Sequence, residues 1–441
     1  MSCAPVLLVG EICVDFTLGR EGQSPKVRLG GIVHAARGLW AAGIEYAVAA
    51  ICPSYLIDAA KKFLSHHGCA EYIQIGEIVG APNLVIIGDV KEVGHQGYED
   101  VLRDERAVLI ETDSSVLKKF KRAAVFPGRY QLADLKKLLP DNAEIVIDAA
   151  YDAQNVDQLS HLKGLIKSFV ISTSSDLFID LGGQKIEPLL ASAHELGATS
   201  LLLKENRGGS RFFNITTGEV EEVPAVLSET ANSVGVGDAF TAVFAANIFD
   251  DSPEAVWRGM QVATNYAITT FPDDFRLGVR RDLSLSIETV KGSGGVSLPW
   301  HERKQYPIYL AAPDFSYISK PEIDAAVASL EYHNLCVRRP VQENGEATPD
   351  SSKSELLHFY YKDVALIDEC ELMFAVPLLR DPGTLVEIGM AIAKGKPVVV
   401  FDPRHENNNT MVMCGAECYS DNLDLCLNRV FELLAKIRAA K

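Results

Sequence analysis

Along most of the chain, short runs of apolar and β-branched residues alternate with stretches whose apolar positions recur at helical spacing. This is the pattern of strands buried in a sheet that helices cover. Residues 6–9 form the first run, which ends at Gly10-Glu11 and continues as Ile12-Cys13-Val14-Asp15, predicting a buried strand with Asp15 where it opens onto a site. Gly30-Gly31 precedes small and apolar residues at helical spacing up to Leu39, as in a helix packed closely on a sheet. Residues 48–51 predict the next strand, and the runs 72–75, 83–87 and 107–111, poor in helix formers, predict a small β lid. The runs 123–126, 144–148, 168–172 and 199–204 alternate with helical stretches, as in a parallel sheet.

Helices are predicted over 239–248 and 253–270, the second ending before Pro272-Asp273-Asp274. From 277 to 305 the chain turns polar and glycine-rich, through Lys291-Gly292-Ser293-Gly294-Gly295, which marks a linker. A second α/β alternation follows. It comprises a strand at 307–312, a helix at 320–333, a polar mobile loop at 342–354, an apolar strand region at 365–376, a helix at 384–394, a strand at 397–401 and an amphipathic helix at 421–440. Two α/β domains are therefore expected, 1–280 and 306–441, joined by 281–305, with no internal repeat.

The length of 441 residues exceeds what one hydrophobic core usually organises, in agreement with two domains. A net charge of −17 and a pI near 5.1 argue against a nucleic-acid groove or an anionic membrane surface, so small molecules are the expected partners. The start, Met1-Ser2-Cys3-Ala4-Pro5, lacks a basic region followed by an apolar core, and no apolar run reaches about 18 residues, so a soluble cytoplasmic protein is expected. The nine cysteines are scattered, and the close pair Cys414 and Cys418 has no partners at metal spacing, so buried thiols are expected.

Two segments carry candidate chemistry. In Ser233-Val234-Gly235-Val236-Gly237-Asp238-Ala239-Phe240, glycines let backbone N–H groups close on a phosphate at a helix start, and Asp238 can take a hydroxyl proton. In Asp381-Pro382-Gly383-Thr384-Leu385-Val386-Glu387-Ile388-Gly389, Glu387 has small neighbours at Gly383, Gly389 and Ala391, so a ligand can approach its carboxylate. Two nearby carboxylates titrate apart, one ionised for attack and one holding a proton.

Through Gly10-Glu11 with Asp15, Gly30-Gly31 and Gly235-Val236-Gly237-Asp238, residues 1 to about 276 resemble the PfkB, or ribokinase-like, carbohydrate kinases. The resemblance implies a ribokinase-like doubly wound α/β sheet with a β lid, ATP with Mg²⁺, and phosphorylation of a primary sugar hydroxyl. Asp238 then stands as catalytic base, with the N–H groups of Val236, Gly237 and Asp238 and the turn at Gly235 holding the developing charge. Asp15, Gly30, Gly31 and His34 fall at the sugar, Lys204, Asn206 and Gly209 at the nucleotide, and Asp176 at the metal. The chain departs from that family at His34 (usually Asn), at Asn232-Ser233 (Asp-Thr), at Lys204-Glu205-Asn206 (Thr-x-Gly) and at Thr173-Ser174-Ser175-Asp176 (Asn-x-x-Glu), where the acidic end survives.

Residues 306–441 resemble the nucleoside 2-deoxyribosyltransferases and related deoxynucleotide N-glycosidases, through Tyr309-Leu310-Ala311-Ala312-Pro313-Asp314-Phe315, Asp363, Asp381 with Glu387, and Gly395-Lys396-Pro397-Val398. The resemblance implies a flavodoxin-like or Rossmann-like domain with Glu387 as nucleophile on the anomeric carbon. Asp381 supports it, Asp363 handles the base and its proton, and Tyr309 orients Glu387. Phe315 falls at the substrate, and Asn409 matches a residue supplied across a subunit interface, so a homo-oligomer is expected. Three functions stay open: a bifunctional kinase and glycosidase or deoxyribosyltransferase acting on nucleosides, nucleotides or pentoses; a glycosidase with a regulatory nucleotide-binding domain; and a non-catalytic nucleotide sensor.

Overall fold

The computed structural model describes residues 5–19, 24–101, 105, 107–110, 115–149, 153, 155–181, 183–250, 252–348 and 350–441. They form two compact units. One comprises Met1–Lys91, Gln96–Val226 and Thr230–Gly294; the other comprises Glu92–His95, Leu227–Glu229 and Gly295–Lys441.

In the N-terminal unit the strands are β1 (Val6–Thr17), β2 (Lys26–Gly31), β3 (Tyr46–Ile51), β4 (Cys69–Val79), β5 (Leu84–Ile87), β6 (Glu99–Asp100), β7 (Ala107–Ile110), β8 (Arg122–Val125), β9 (Glu144–Asp148), β10 (Ile166–Ser172), β11 (Ser200–Lys204), β12 (Ser210–Asn214) and β13 (Val220–Val223). The main path runs β13-β12-β11-β10-β9-β8-β1-β3-β4-β7, parallel from β11 to β4 and antiparallel at both ends. The twelve-residue β1 serves two sheets: Val6–Glu11 pairs with β3, whereas Ile12–Thr17 pairs with β2 and Val14–Thr17 also with β5. Asp15 rides on the part that leaves the main sheet. Of the runs expected as a lid, 72–75 lies in β4 and 107–110 is β7, both in the main sheet, so the small sheet is built from β2, β5, β6 and the end of β1. Leu8, Val48, Val146, Val170 and Leu202 are buried with Leu39, Phe240, Phe244 and Trp257 from the helices Val33–Ala42, Val236–Ile248 and Ala255–Ile268.

The stretch 281–305, expected as a linker, is largely helical. Ser286 caps Ile287–Gly292 by accepting from Thr289 N–H, and Ile287 and Val290 join the N-terminal core. Two apolar residues three apart outweighed the glycine and serine content. The division between units falls at Gly294 and Gly295, both at positive φ.

The C-terminal unit has β14 (Pro307–Ala311), β15 (Cys336–Arg338), β16 (Leu372–Ala375), β17 (Val398–Phe401) and β18 (Cys418–Ser420), all parallel, in the order β15-β14-β16-β17-β18. Strand order reverses at β14, and in such sheets ligands bind beyond the carboxyl ends of the strands at this switch point. The loops leaving β14 and β16 there carry Asp314, Phe315 and Asp381. The expected strand region 365–376 is half helix: a capping box of Ser352 and Glu355 starts Lys353–Glu369, and β16 begins only at Leu372. The expected loop 342–354 contains the end of the short helix Pro340–Asn344. The described cysteines are free thiols, with Cys52, Cys370 and Cys426 buried and Cys414 exposed. No helix among the described residues is long and apolar enough to cross a membrane.

Candidate functional site

In the N-terminal unit, antiparallel pairing sets Arg28 opposite Asp15. Arg28 Nε donates to Asp15 Oδ2 at 3.2 Å, and Nη2 reaches the carbonyl of Val234 at 3.2 Å. His34, in the first turn of its helix, brings Nε2 within 2.8 Å of the same carboxylate oxygen and Nδ1 within 2.7 Å of Tyr266 Oη. Arg37 Nη1 donates to Tyr266 Oη at 3.0 Å. Burial holds His34 below its ordinary pKa against the pull of Asp15, so the imidazole is neutral. Burial would raise the Asp15 carboxyl, but His34 and Arg28 outweigh it and hold it below the usual range. An ionised carboxylate only accepts, so Nε2 carries the proton and Nδ1 accepts from the phenol, giving a chain directed from Arg37 through Tyr266 and His34 to Asp15.

Two close approaches require glycine. A Cβ on Gly30 would stand 1.9 Å from Asp15 Oδ1, and one on Gly235 would stand 2.2 Å from His34 Cγ. Gly235 also has a φ of 86°, in the left-handed region, where it caps the helix Val236–Ile248. Gly31, at a φ of 63°, ends β2 beside them. In that helix's first turn the N–H groups of Gly237 and Asp238 have no intrahelical acceptor, which favours an anion. The Val236 N–H donates to Ser233 O at 3.1 Å instead. Burial, with the charge of Asp148 behind it, pushes Asp238 up to about 7, against the opposing pull of Lys204.

Lys204 ends β11. Its ammonium donates to Asp148 Oδ2 at 2.6 Å and to Thr241 Oγ1 at 3.2 Å, in a buried cluster. Asn206, at a φ of 53°, begins the short turn Asn206–Gly208, and Gly209 follows at a φ of 96°. Asp176 is exposed in the first turn of the helix Asp176–Asp180. No group of three or more His, Cys, Asp or Glu side chains among the described residues could hold a metal ion.

In the C-terminal unit, Tyr309 on β14 is buried, and its phenol donates to Glu387 Oε1 at 2.8 Å. Glu387 lies on the helix Pro382–Ala393 and is partly exposed. Burial, and then the charges of Asp363 and Asp381, push it up to about 8 against the lowering hydrogen bond from Tyr309. Asp381 is the N-cap of this helix: its Oδ2 accepts from Thr384 N–H at 2.7 Å and Thr384 Oγ1 at 2.9 Å. Asp363, on Lys353–Glu369, is raised by burial and accepts at Oδ1 from Asn344 Nδ2 at 2.8 Å. A Cβ on Gly389 would meet nothing within 4 Å, leaving open space two residues from Glu387, whereas Ala391 is fully buried and serves packing. Phe315 stacks on the exposed Tyr317 with ring centroids 5.4 Å apart. Asn409 is exposed and caps Thr410–Met413 by accepting from Met411 N–H at 2.8 Å.

Several participants carried no signal of their own in the sequence. Arg28 could have been found only from the register that sets it opposite Asp15. Tyr266, Asp148 and Thr241 enter through contacts between residues far apart in the chain. Asn344 sits in a stretch whose polarity predicts a loop.

Residues 308–429 match the family model of nucleoside 2-deoxyribosyltransferases. The match lies within the C-terminal unit and contains Tyr309, Asp363, Asp381 and Glu387. No curated protein matches the chain. Among solved structures the chain is similar to a ribokinase from Thermotoga maritima, at 15% identity over 64% of this chain and 99% of that one, with a TM-score of 0.46. It is also similar to a putative ribokinase II from E. coli in complex with ATP and Mg²⁺, at 13% identity over 64% and 99%, with a TM-score of 0.48. A third is a nucleoside kinase from Burkholderia thailandensis in complex with inosine, at 14% identity over 63% and 98%, with a TM-score of 0.47.

Proposed function

We propose that the C-terminal unit breaks or exchanges the N-glycosidic bond of a nucleoside or nucleotide, with Glu387 as nucleophile. The observation that carries this reading is the Tyr309 phenol on a partly exposed Glu387 whose carboxyl is pushed up to about 8, inside the segment that matches the family. A Glu387 oxygen bonds to the anomeric carbon while the C–N bond breaks and its electron pair leaves with the base. The proton reaches the base from Asp363, and water or a second base then releases the sugar. Burial and the charge of Asp363 raise Glu387, and burial raises Asp363; the productive form in this reading is the one with Glu387 ionised and Asp363 protonated. Asp381 holds the helix start, and Asn409 and Phe315 are assigned to the substrate, with Asn409 acting in the site of a second copy.

For the N-terminal unit we propose phosphoryl transfer to a sugar hydroxyl, with Asp238 as base. A carboxyl near 7 can accept a proton at working pH. The free N–H groups of Gly237 and Asp238 suit a phosphate, and Lys204, Asn206 and Gly209 border the same strand end. ATP supplies the transferred phosphoryl group when bound, and Mg²⁺ held through phosphates needs no more than one or two protein carboxylates, the role assigned to Asp176. The engagement of Asp15 with His34 and Arg28, and of Lys204 with Asp148, favours the second reading, in which this unit binds nucleotide without turnover.

A nucleoside panel assayed for base release and ATP consumption tests both readings. Glu387→Gln is expected to abolish base release and Asp238→Asn to lower phosphorylation by about 10²-fold or more. A 2-fluoro-substituted nucleoside should leave a covalent adduct on the peptide containing Glu387, and an adduct elsewhere overturns the assignment. ATP consumption that is absent, or insensitive to Asp238→Asn, overturns the kinase reading.

A further inference from the structure

We propose that Asn344 is a positioning residue that fixes which oxygen of Asp363 carries the proton given to the departing base, an inference that rests on the glycosyl-transfer reading above. Asn344 Nδ2 donates to Asp363 Oδ1 at 2.8 Å. The carbonyl oxygen of a carboxylic acid accepts an amide N–H better than its hydroxyl oxygen does, so when Asp363 is protonated the oxygen bonded to Asn344 is the carbonyl one and the proton sits on Oδ2. When the proton has left, the same N–H stabilises the carboxylate. The step balances: the Glu387 oxygen bonds to the anomeric carbon, the C–N electron pair goes to the base nitrogen, and that nitrogen takes the proton from Asp363 Oδ2.

Asn344 is held in place from both ends of its short helix. Asp314, buried in the loop after β14, accepts from Arg339 Nε and Nη2, each at 2.8 Å, and also pairs with Lys320. Arg339 stands at the N-cap of Pro340–Asn344, and Arg338 donates to both carboxylate oxygens of Glu343. Gly345, at a φ of 98°, ends the helix, and a Cβ there would stand 3.3 Å from Phe359 Cε1. One strand therefore serves both carboxyls: β14 carries Tyr309 to Glu387, and its loop carries Asp314 to Arg339, the helix ending at Asn344, and Asp363.

The full-length protein is assayed on a 2′-deoxynucleoside and on 4-nitrophenyl 2-deoxyriboside, whose phenolate leaves without a proton. In Asn344→Ala, kcat for base release is expected to fall about 10- to 100-fold, while nitrophenolate release stays within about threefold of wild type. The lost N–H had favoured ionised Asp363, so the alkaline limb of kcat on the nucleoside moves to higher pH. Asn344→Ser, which keeps a shorter donor, is expected to fall between the two. Equal losses on both substrates, an unchanged nucleoside rate, or an alkaline limb that moves down overturns the proposal. Glu387→Gln separates the levels. If wild type releases neither product, or Glu387→Gln retains release, the glycosyl-transfer reading falls and takes this proposal with it. Release that depends on Glu387 but is indifferent to Asn344→Ala removes Asn344 alone.

Discussion

The phenol of Tyr309 reaches Glu387 Oε1 across 2.8 Å, joining the first strand of the C-terminal sheet to a helix 78 residues further on. The hydrogen bond opposes the burial and the neighbouring carboxylates that raise Glu387. Tyr309→Phe removes the opposing interaction, so the Glu387 pKa rises further and less of its carboxyl is ionised near neutrality. The acid limb of base release should move to higher pH, with turnover at pH 7 lowered about tenfold. A pH–rate profile with an unmoved acid limb would show that the contact does not tune Glu387 for the proposed attack.

Glu387 also couples stability to pH. Its folded-state pKa of about 8 lies above the ordinary 4.5, so the folded protein binds this proton more tightly than the unfolded chain. The associated stability is present below about 4.5 and is lost as pH rises through about 8. Glu387→Gln cannot ionise and escapes the loss. Its Tm relative to wild type should climb between pH 5 and pH 8.5, by the equivalent of about 1–3 kcal/mol after allowance for solvent access. A Tm difference that is flat across this range counts against a strongly raised Glu387.

Leu379 and Arg380 precede Asp381 with φ values of 57° and 51°, a conformation costly for side chains with a Cβ. Leu379 is exposed and buries little, so Leu379→Gly should stabilise the C-terminal unit by about 0.5–1 kcal/mol, net of the entropy that glycine adds to the unfolded chain. Denaturant unfolding with no gain, or with a loss, would show that its side chain contributes more than its backbone costs.

Gly235→Ala sets a methyl group against the His34 ring at a left-handed backbone position. Phosphorylation should fall by about 10²-fold or more, because the turn presenting Asp238 must move. Base release should be retained, and a parallel loss of both activities in a folded variant would contradict independent sites.

A fragment of residues 295–441 lacks Glu92–His95 and Leu227–Glu229, which belong to the same compact unit. Val93 and Leu227 pack on its core, and Asn428 Nδ2 donates to Ser228 O at 2.9 Å. The fragment should therefore melt several degrees below the same unit in the full chain. Equal melting points would mean that these segments contribute no net stability.

Local physics made much of this legible. A glycine that must sit at positive φ, followed by a helix start and Asp238, is a pattern a few residues long, and so is the spacing of Asp381 and Glu387 on one helix. Alternating runs were enough to predict two α/β halves, because strand and helix periodicities are set by backbone geometry. Where one apolar run suited either element the reading failed: 365–369 belongs to the helix begun by Ser352 and Glu355, and the capping box decided it.

By itself the sequence determined the class of each half and pointed to the residues proposed as nucleophile and base. The tertiary structure decided their chemical state. Asp15 is held ionised by His34 and Arg28, Asp238 is raised by burial and by Asp148, and Asp363 receives Asn344 from a separate helix. Burial and charge–charge distance belong to the packed fold and have no period along the chain, so a carboxylate's neighbours become known only when distant segments meet.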